Sequence, residues 1–139
     1  MSKATELPHN GHNSDTVLIV EDDAATRRLY KFLFSNGGYV VLEAEDGIAA
    51  VEVLRRHHCD LVITDMNMPR MDGLELIRAI RQDFGDIYVI LITAFGTPDT
   101  HKQAIRLGAN DYLAKPFDFE ELERRVHTYF QSRHRPPAP

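Results

Sequence analysis

At 139 residues, 43% of them hydrophobic and 27% charged, the chain can bury one core but is too short for two full domains. A formal net charge of -5 excludes the strong positive field of a nucleic-acid-binding face; a single cysteine, Cys59, excludes a disulfide framework and suits a reducing cytoplasm. No apolar run approaches the roughly 20 residues that cross a bilayer, and the N-terminus lacks a hydrophobic signal core.

Residues 1–15 are polar and hold Pro8, Gly11, Asn10 and two histidines, so they are expected to form a flexible leader. "TVLIV" (16–20) is a short apolar run bounded by polar residues, hence a strand. Ala25, Leu29, Phe32 and Leu33 recur at helical spacing, and Gly37-Gly38 stops that helix. "YVVLEA" (39–44) reads as a second strand, with Ile48, Val51 and Leu54 marking a second helix. "LVIT" (61–64) is a third strand, and Leu74, Ile77 and Ile80 mark the helix after it. "YVILIT" (88–93) is a fourth strand, followed by a weaker helix at Ala104, Ile105 and Gly108. "DYLA" (111–114) is the fifth strand, and Phe119, Leu122, Val126 and Tyr129 line the fifth helix. The folded domain is expected over 16–131, with 132–139 as a tail or the start of a linker.

Strands alternating with helices imply an α/β domain: a parallel sheet covered on both faces, doubly wound by right-handed crossovers. In such sheets ligands sit beyond the carboxyl ends of the strands. Those ends carry Glu21, Asp22 and Asp23 after the first strand, Asp65 after the third, Thr93 and Ala94 after the fourth, and Lys115-Pro116 after the fifth. Taken singly, each has a plain structural explanation. Asp22 or Asp23 can cap the following helix, Asp65 can start a turn, Thr93 can be structural, and Lys115 can be a solvated charge. Taken together they are harder to explain that way, because crowded carboxylates repel and need a cation. Oxygen ligands suit Mg2+, and a carboxylate nucleophile can accept a phosphoryl group as an acyl phosphate.

"VLIVEDD", "LVITDMNMPRMDG", "VILITAFG" and "GANDYLAKPF", in that order and spacing, resemble the receiver domain of two-component response regulators, including the single-domain chemotaxis regulator. The likeness runs over about residues 15–131. It implies a flavodoxin-like (βα)5 fold with strand order 2-1-3-4-5. It further implies that Asp65 is the phosphoacceptor and that Glu21, Asp22, Asp65 and the main-chain carbonyl of Asn67 hold Mg2+. Thr93 matches the family's switch hydroxyl, Lys115 its phosphate-pairing lysine, and Tyr112 the aromatic that follows the threonine. Ala94 leaves room for the phosphoryl group. Lys115-Pro116 matches a bond that is commonly cis. Asn67 and Phe95, two past the phosphoacceptor and two past the threonine, match positions that tune dephosphorylation; Phe95 is expected to shield the acyl phosphate. The implied partners are a sensor histidine kinase or phosphotransfer protein, and a downstream protein or second copy on the surface of the fourth helix, fifth strand and fifth helix. Neither direct nucleic-acid binding nor membrane attachment is implied. The chain would act once on itself rather than turn over as an enzyme.

Rival readings fare less well. Haloacid dehalogenase-type hydrolases place the nucleophile after the first strand with a second aspartate two residues on; here the candidate follows the third strand and Asn67 takes that position. No glycine-rich phosphate loop of the G-x-G-x-x-G or Walker type is present. A non-phosphorylated adaptor acting through protein binding alone would have no reason to gather Glu21, Asp22, Asp65, Thr93 and Lys115. Glu120, Glu121, Glu123, Arg124 and Arg125 in the fifth helix fit a solvated face or a charged dimer surface equally well. "RRHHC" (55–59) reads as a basic helix end followed by a buried cysteine.

Overall fold

Strand and helix alternate throughout the computed structural model, which describes residues 15–94 and 96–134. The order is β1 (Thr16–Val20), α1 (Ala24–Asn36), β2 (Val40–Ala44), α2 (Gly47–Arg56), β3 (Leu61–Asp65), α3 (Gly73–Asp83), β4 (Tyr88–Thr93), α4 (Pro98–Leu107), β5 (Asp111–Ala114) and α5 (Phe119–His134). Most of the expected leader, Phe95, and residues 135–139 of the expected tail lie outside the described residues.

All five strands are parallel and lie in the order β2-β1-β3-β4-β5, a flavodoxin-like sheet. The three inner strands, β1, β3 and β4, are buried on both sides because helices cover both, whereas the edge strands β2 and β5 are partly exposed. Alternate residues divide the core. Val17, Ile19, Leu61, Ile63, Ile90 and Ile92 face Phe34 of α1 and Leu122, Val126 and Phe130 of α5. Leu18, Val20, Val62, Val89 and Leu91 face α2, α3 and α4, where Leu54, Leu76, Ile77 and Ile80 fill the space.

Side-chain caps start four helices where the sequence supplies them. Asp23, Asp46 and Thr97 accept from the main-chain N–H of Thr26, Ala49 and Thr100 respectively, and Asp72 and Glu75 cap each other's N–H groups in a capping box. Gly108 ends α4 in the left-handed region at φ 119°.

Three details differ from the sequence reading. The expected α1 stripe faces outward in part, with Leu29 53% and Phe32 61% exposed. The inward face is instead Tyr30 and Phe34, one turn apart, because their rings pack against Phe119 at 5.9 and 5.0 Å. Ile48 and Ile105 likewise sit on outer faces, so α4 buries only Ala104. Helix α5, lastly, runs to His134 rather than ending near residue 131. Its last turn is polar, yet it answers buried carboxylates: the Arg133 guanidinium donates to Asp60 at 2.8 Å, and His134 Nε2 lies 2.7 Å from Asp15. Asp15 and Asp60 are only 3% and 5% exposed, so these partners offset a desolvation cost.

Candidate functional site

The ends of β1 and β3 are neighbours in the sheet, which brings Glu21 and Asp22 beside Asp65. One carboxylate oxygen from each of the three lies within 4.8 Å of the others. Asp23 stands apart: it is the α1 cap, and the Thr26 side-chain and main-chain donors hold its carboxyl below the usual range. The acidic run after β1 thus splits, two members joining the cluster and the third starting a helix.

Burial pushes the carboxyls of both Glu21 and Asp65 up. Asp65 adds to this at Glu21, and Asp22 adds to it at Asp65, by like-charge repulsion. Opposing them are Lys115, whose Nζ lies 3.6 Å from Asp65 Oδ1, the Asp23 N–H donated to Glu21, and the Met66 N–H donated to Asp65. Lys115 alone does not cancel the upward shift. An all-oxygen set with residual negative charge suits a hard divalent cation, and Glu21, Asp22 and Asp65 are the residues that could hold one.

Thr93 is fully buried at the end of β4, and its carbonyl accepts from the Lys115 N–H at 2.8 Å, tying the tips of β4 and β5 together. Ala94 follows and is exposed. The Lys115–Pro116 peptide bond is cis. The hydroxyl oxygen of Tyr112 on β5 is buried and has no hydrogen-bond partner among the described residues. It sits where a Cβ on Gly96 would come within 3.1 Å, and the His101 ring of α4 stacks on the Tyr112 ring at 4.6 Å and 8°. Phe95 lies outside the described residues.

Asn67 is exposed in the loop after Asp65. That loop folds back on itself, the Gly73 N–H donating to the Met66 carbonyl at 2.8 Å. A Cβ at Gly73 would lie 2.6 Å from the Asp65 carbonyl oxygen and 2.9 Å from Met66 Cα, both backbone atoms that cannot rotate away. Gly73→Ala is therefore expected to lower stability by about 2–3 kcal/mol, the usual scale of overpacking, read as a fall in the urea midpoint; an unchanged midpoint would show that the loop has room.

Two features had no local signal in the sequence. His101 meets Tyr112 only because α4 crosses β5. Arg70, in the β3–α3 loop, reaches Asp46 before α2, 24 positions away.

A family model described as the response regulator receiver domain matches residues 17–127. Sporulation initiation phosphotransferase F of Bacillus subtilis (strain 168) is 34% identical over 116 residues, covering 84% of this chain and 94% of that protein. Probable transcriptional regulator ycf27 of Guillardia theta is 38% identical over 112 residues, covering 81% of this chain and 44% of the relative. Response regulator MprA of Mycobacterium sp. (strain KMS) is 37% identical over 110 residues, covering 79% of this chain and 48% of the relative. The chain thus spans about half the length of the ycf27 and MprA relatives. Among solved structures, the receiver domain of Francisella response regulator 1452 superposes with a TM-score of 0.81 at 28% identity, covering 86% of this chain and 99% of that one. Chemotaxis protein CheY4 of Vibrio cholerae gives 0.78 at 28% identity, covering 83% and 98%. These likenesses take in every strand of the sheet and the edge where the carboxylates meet, and the chain belongs to the family of response regulator receiver domains of two-component systems.

Proposed function

We propose that the chain is a phosphoacceptor, taking a phosphoryl group onto Asp65 from the phosphohistidine of a sensor histidine kinase or phosphotransfer protein. One observation carries this reading above the others: a nucleophilic carboxylate ends a rigid central strand, beside two further acids and 3.6 Å from the Lys115 ammonium. A carboxylate oxygen of Asp65 forms the new O–P bond while the P–N bond breaks, its electron pair leaving with the imidazole. Glu21, Asp22, Asp65 and the Asn67 carbonyl would hold Mg2+, which when bound would supply positive charge to the phosphoryl oxygens. Lys115 offsets the charge that gathers on those oxygens. Ala94 leaves them space, and the Thr93 hydroxyl donates to the modified group.

Drawing Thr93 inward leaves Tyr112 free to follow, which alters the α4, β5 and α5 surface for a downstream protein or a second copy. Asn67 and Phe95 set how fast water removes the phosphoryl group, so the chain catalyses only its own modification and its reversal. It acts in the cytoplasm, without contacting nucleic acid or membrane itself. Support comes from the family and from a relative that is named as a phosphotransferase.

Intact mass after incubation with Mg2+ and acetyl phosphate tests the reading. The parent is expected to gain one phosphoryl group and to lose the gain when Mg2+ is chelated. No gain from either acetyl phosphate or a phosphohistidine donor would overturn it and favour an adaptor that works by binding alone.

A further inference from the structure

Arg70 is the only non-glycine among the described residues with positive φ, at 69°. A side chain other than that of Gly, Asn or Asp rarely adopts this backbone without something to hold it there. What holds Arg70 is Asp46. Its Nε donates to Asp46 Oδ2 at 2.8 Å, and one terminal nitrogen donates to the same oxygen. Asp46 is 3% exposed, and its other oxygen caps α2 through the Ala49 N–H at 2.9 Å. Both oxygens of a buried carboxylate are thus committed, one to its own helix and one to the loop that follows Asp65.

The contact is continued by the next residue. Met71 lies flush on Gly47, where a Cβ would come within 2.6–2.8 Å of Met71 Cγ, Cβ and carbonyl oxygen. Residues 70 and 71 therefore sit on residues 46 and 47, and Gly73 closes the loop back onto Met66. Asn67 falls inside this doubly anchored stretch. Arg70 and Asp46 also line the same cleft, about 510 Å³, as Asp22.

We infer that Arg70 is a positioning residue: by pairing with Asp46 it sets the β3–α3 loop so that the Asn67 carbonyl can complete the cation site. The inference rests on the proposed Mg2+ site. Charge and position make opposite demands here. Arg70 is a cation near a cation site, so on charge alone its removal should tighten Mg2+ binding. If it positions the loop, its removal should weaken binding, as the loss of groups behind a metal's direct ligands does, by about tenfold.

Calorimetric titration of the full chain with Mg2+ separates the two. Arg70→Asn tolerates the left-handed backbone but cannot reach Asp46; it is expected to bind Mg2+ about tenfold more weakly while still melting cooperatively in metal-free buffer. Arg70→Lys keeps the charge and loses the two-donor fork, so it too should bind more weakly, and it serves if the asparagine variant does not fold. Equal or tighter binding by the folded variants would overturn the inference alone. If the parent itself bound no Mg2+, the proposed cation site would fall, and the inference with it.

Discussion

Asp65→Asn is expected to take up no phosphoryl group from any donor and, in metal-free buffer at pH 7, to unfold at a higher temperature than the parent. The first effect follows from the loss of the proposed nucleophile. The second follows from the crowding around it. Asp65 and Glu21 are buried, and each is pushed up further by a neighbouring negative charge. A carboxyl that holds its proton more tightly in the folded state than in the unfolded one stabilises the fold fully at low pH. That contribution is lost as pH rises through its folded value. Once ionised, the two groups crowd buried negative charge together, and the cluster works against the fold. An amide at position 65 removes one buried charge and the repulsion it exerts on Glu21. It can still accept the Met66 N–H, and it gives up only the 3.6 Å contact with Lys115. The expected gain is about 1 kcal/mol, or roughly 3–5 °C in a domain of this size. Scanning calorimetry should show the gap narrowing as pH falls and the parent's carboxyls protonate, and narrowing with Mg2+, which is expected to stabilise the parent more. A variant that melts below the parent at pH 7 would refute this view of the site's electrostatics.

Arg81→Ala is expected to remove about 3 kcal/mol of stability while leaving phosphorylation at Asp65 intact in the folded fraction. From the last turn of α3 its guanidinium donates to the carbonyls of Gly85 at 2.6 Å, Ile87 at 2.7 Å and Gly108 at 3.0 and 2.7 Å, and to Asn110 Oδ1 at 2.7 Å. One side chain thus ties the α3–β4 and α4–β5 connections together. Asn110 passes the tie on, since the same Oδ1 accepts the Val89 N–H of β4 at 2.7 Å. Gly108 is moulded to this contact, as a Cβ there would lie 2.8 Å from Arg81 Cγ and Nε. Lysine cannot replace a planar fork that serves several acceptors, so Arg81→Lys should recover little. By contrast the exposed Arg124–Glu121 pair, screened by solvent, should contribute little. Urea unfolding of the variants settles the ranking; a loss at Arg81 no larger than that at Arg124 would count against it.

Strands and their order along the chain were legible because each is a short apolar run that a helical period follows. The same feature pointed to the candidate site. Once the sheet is parallel, Glu21, Asp22, Asp65, Thr93 and Lys115 must share an edge, whatever the details between them. What escaped was contact between segments that no local pattern links. Arg70 with Asp46, Arg81 with Gly108, and Arg133 with Asp60 each join residues far apart in the chain. Helix α1 misled for another reason. It carries two apolar stripes, and only the packing of Tyr30 and Phe34 on Phe119 decides which turns inward. The end of α5 looked like a fraying tail because its anchors, Asp15 and Asp60, precede it by 119 and 73 positions.

The helices are not held alike, and this bears on where a signal can leave the molecule. Helix α5 is rooted by Leu122, Val126 and Phe130 and clasped at its end, whereas α4 buries Ala104 fully and packs only one half-buried apolar side chain, Leu107, against the core. Moving α5 would tear open the aromatic half of the core; sliding or turning α4 disturbs the Ala104 methyl, the half-buried Leu107 and the ring of His101. The domain therefore has a soft wall and a hard one. A disturbance that begins at a buried carboxylate will be felt first at the soft wall, because motion there costs the rest of the fold least.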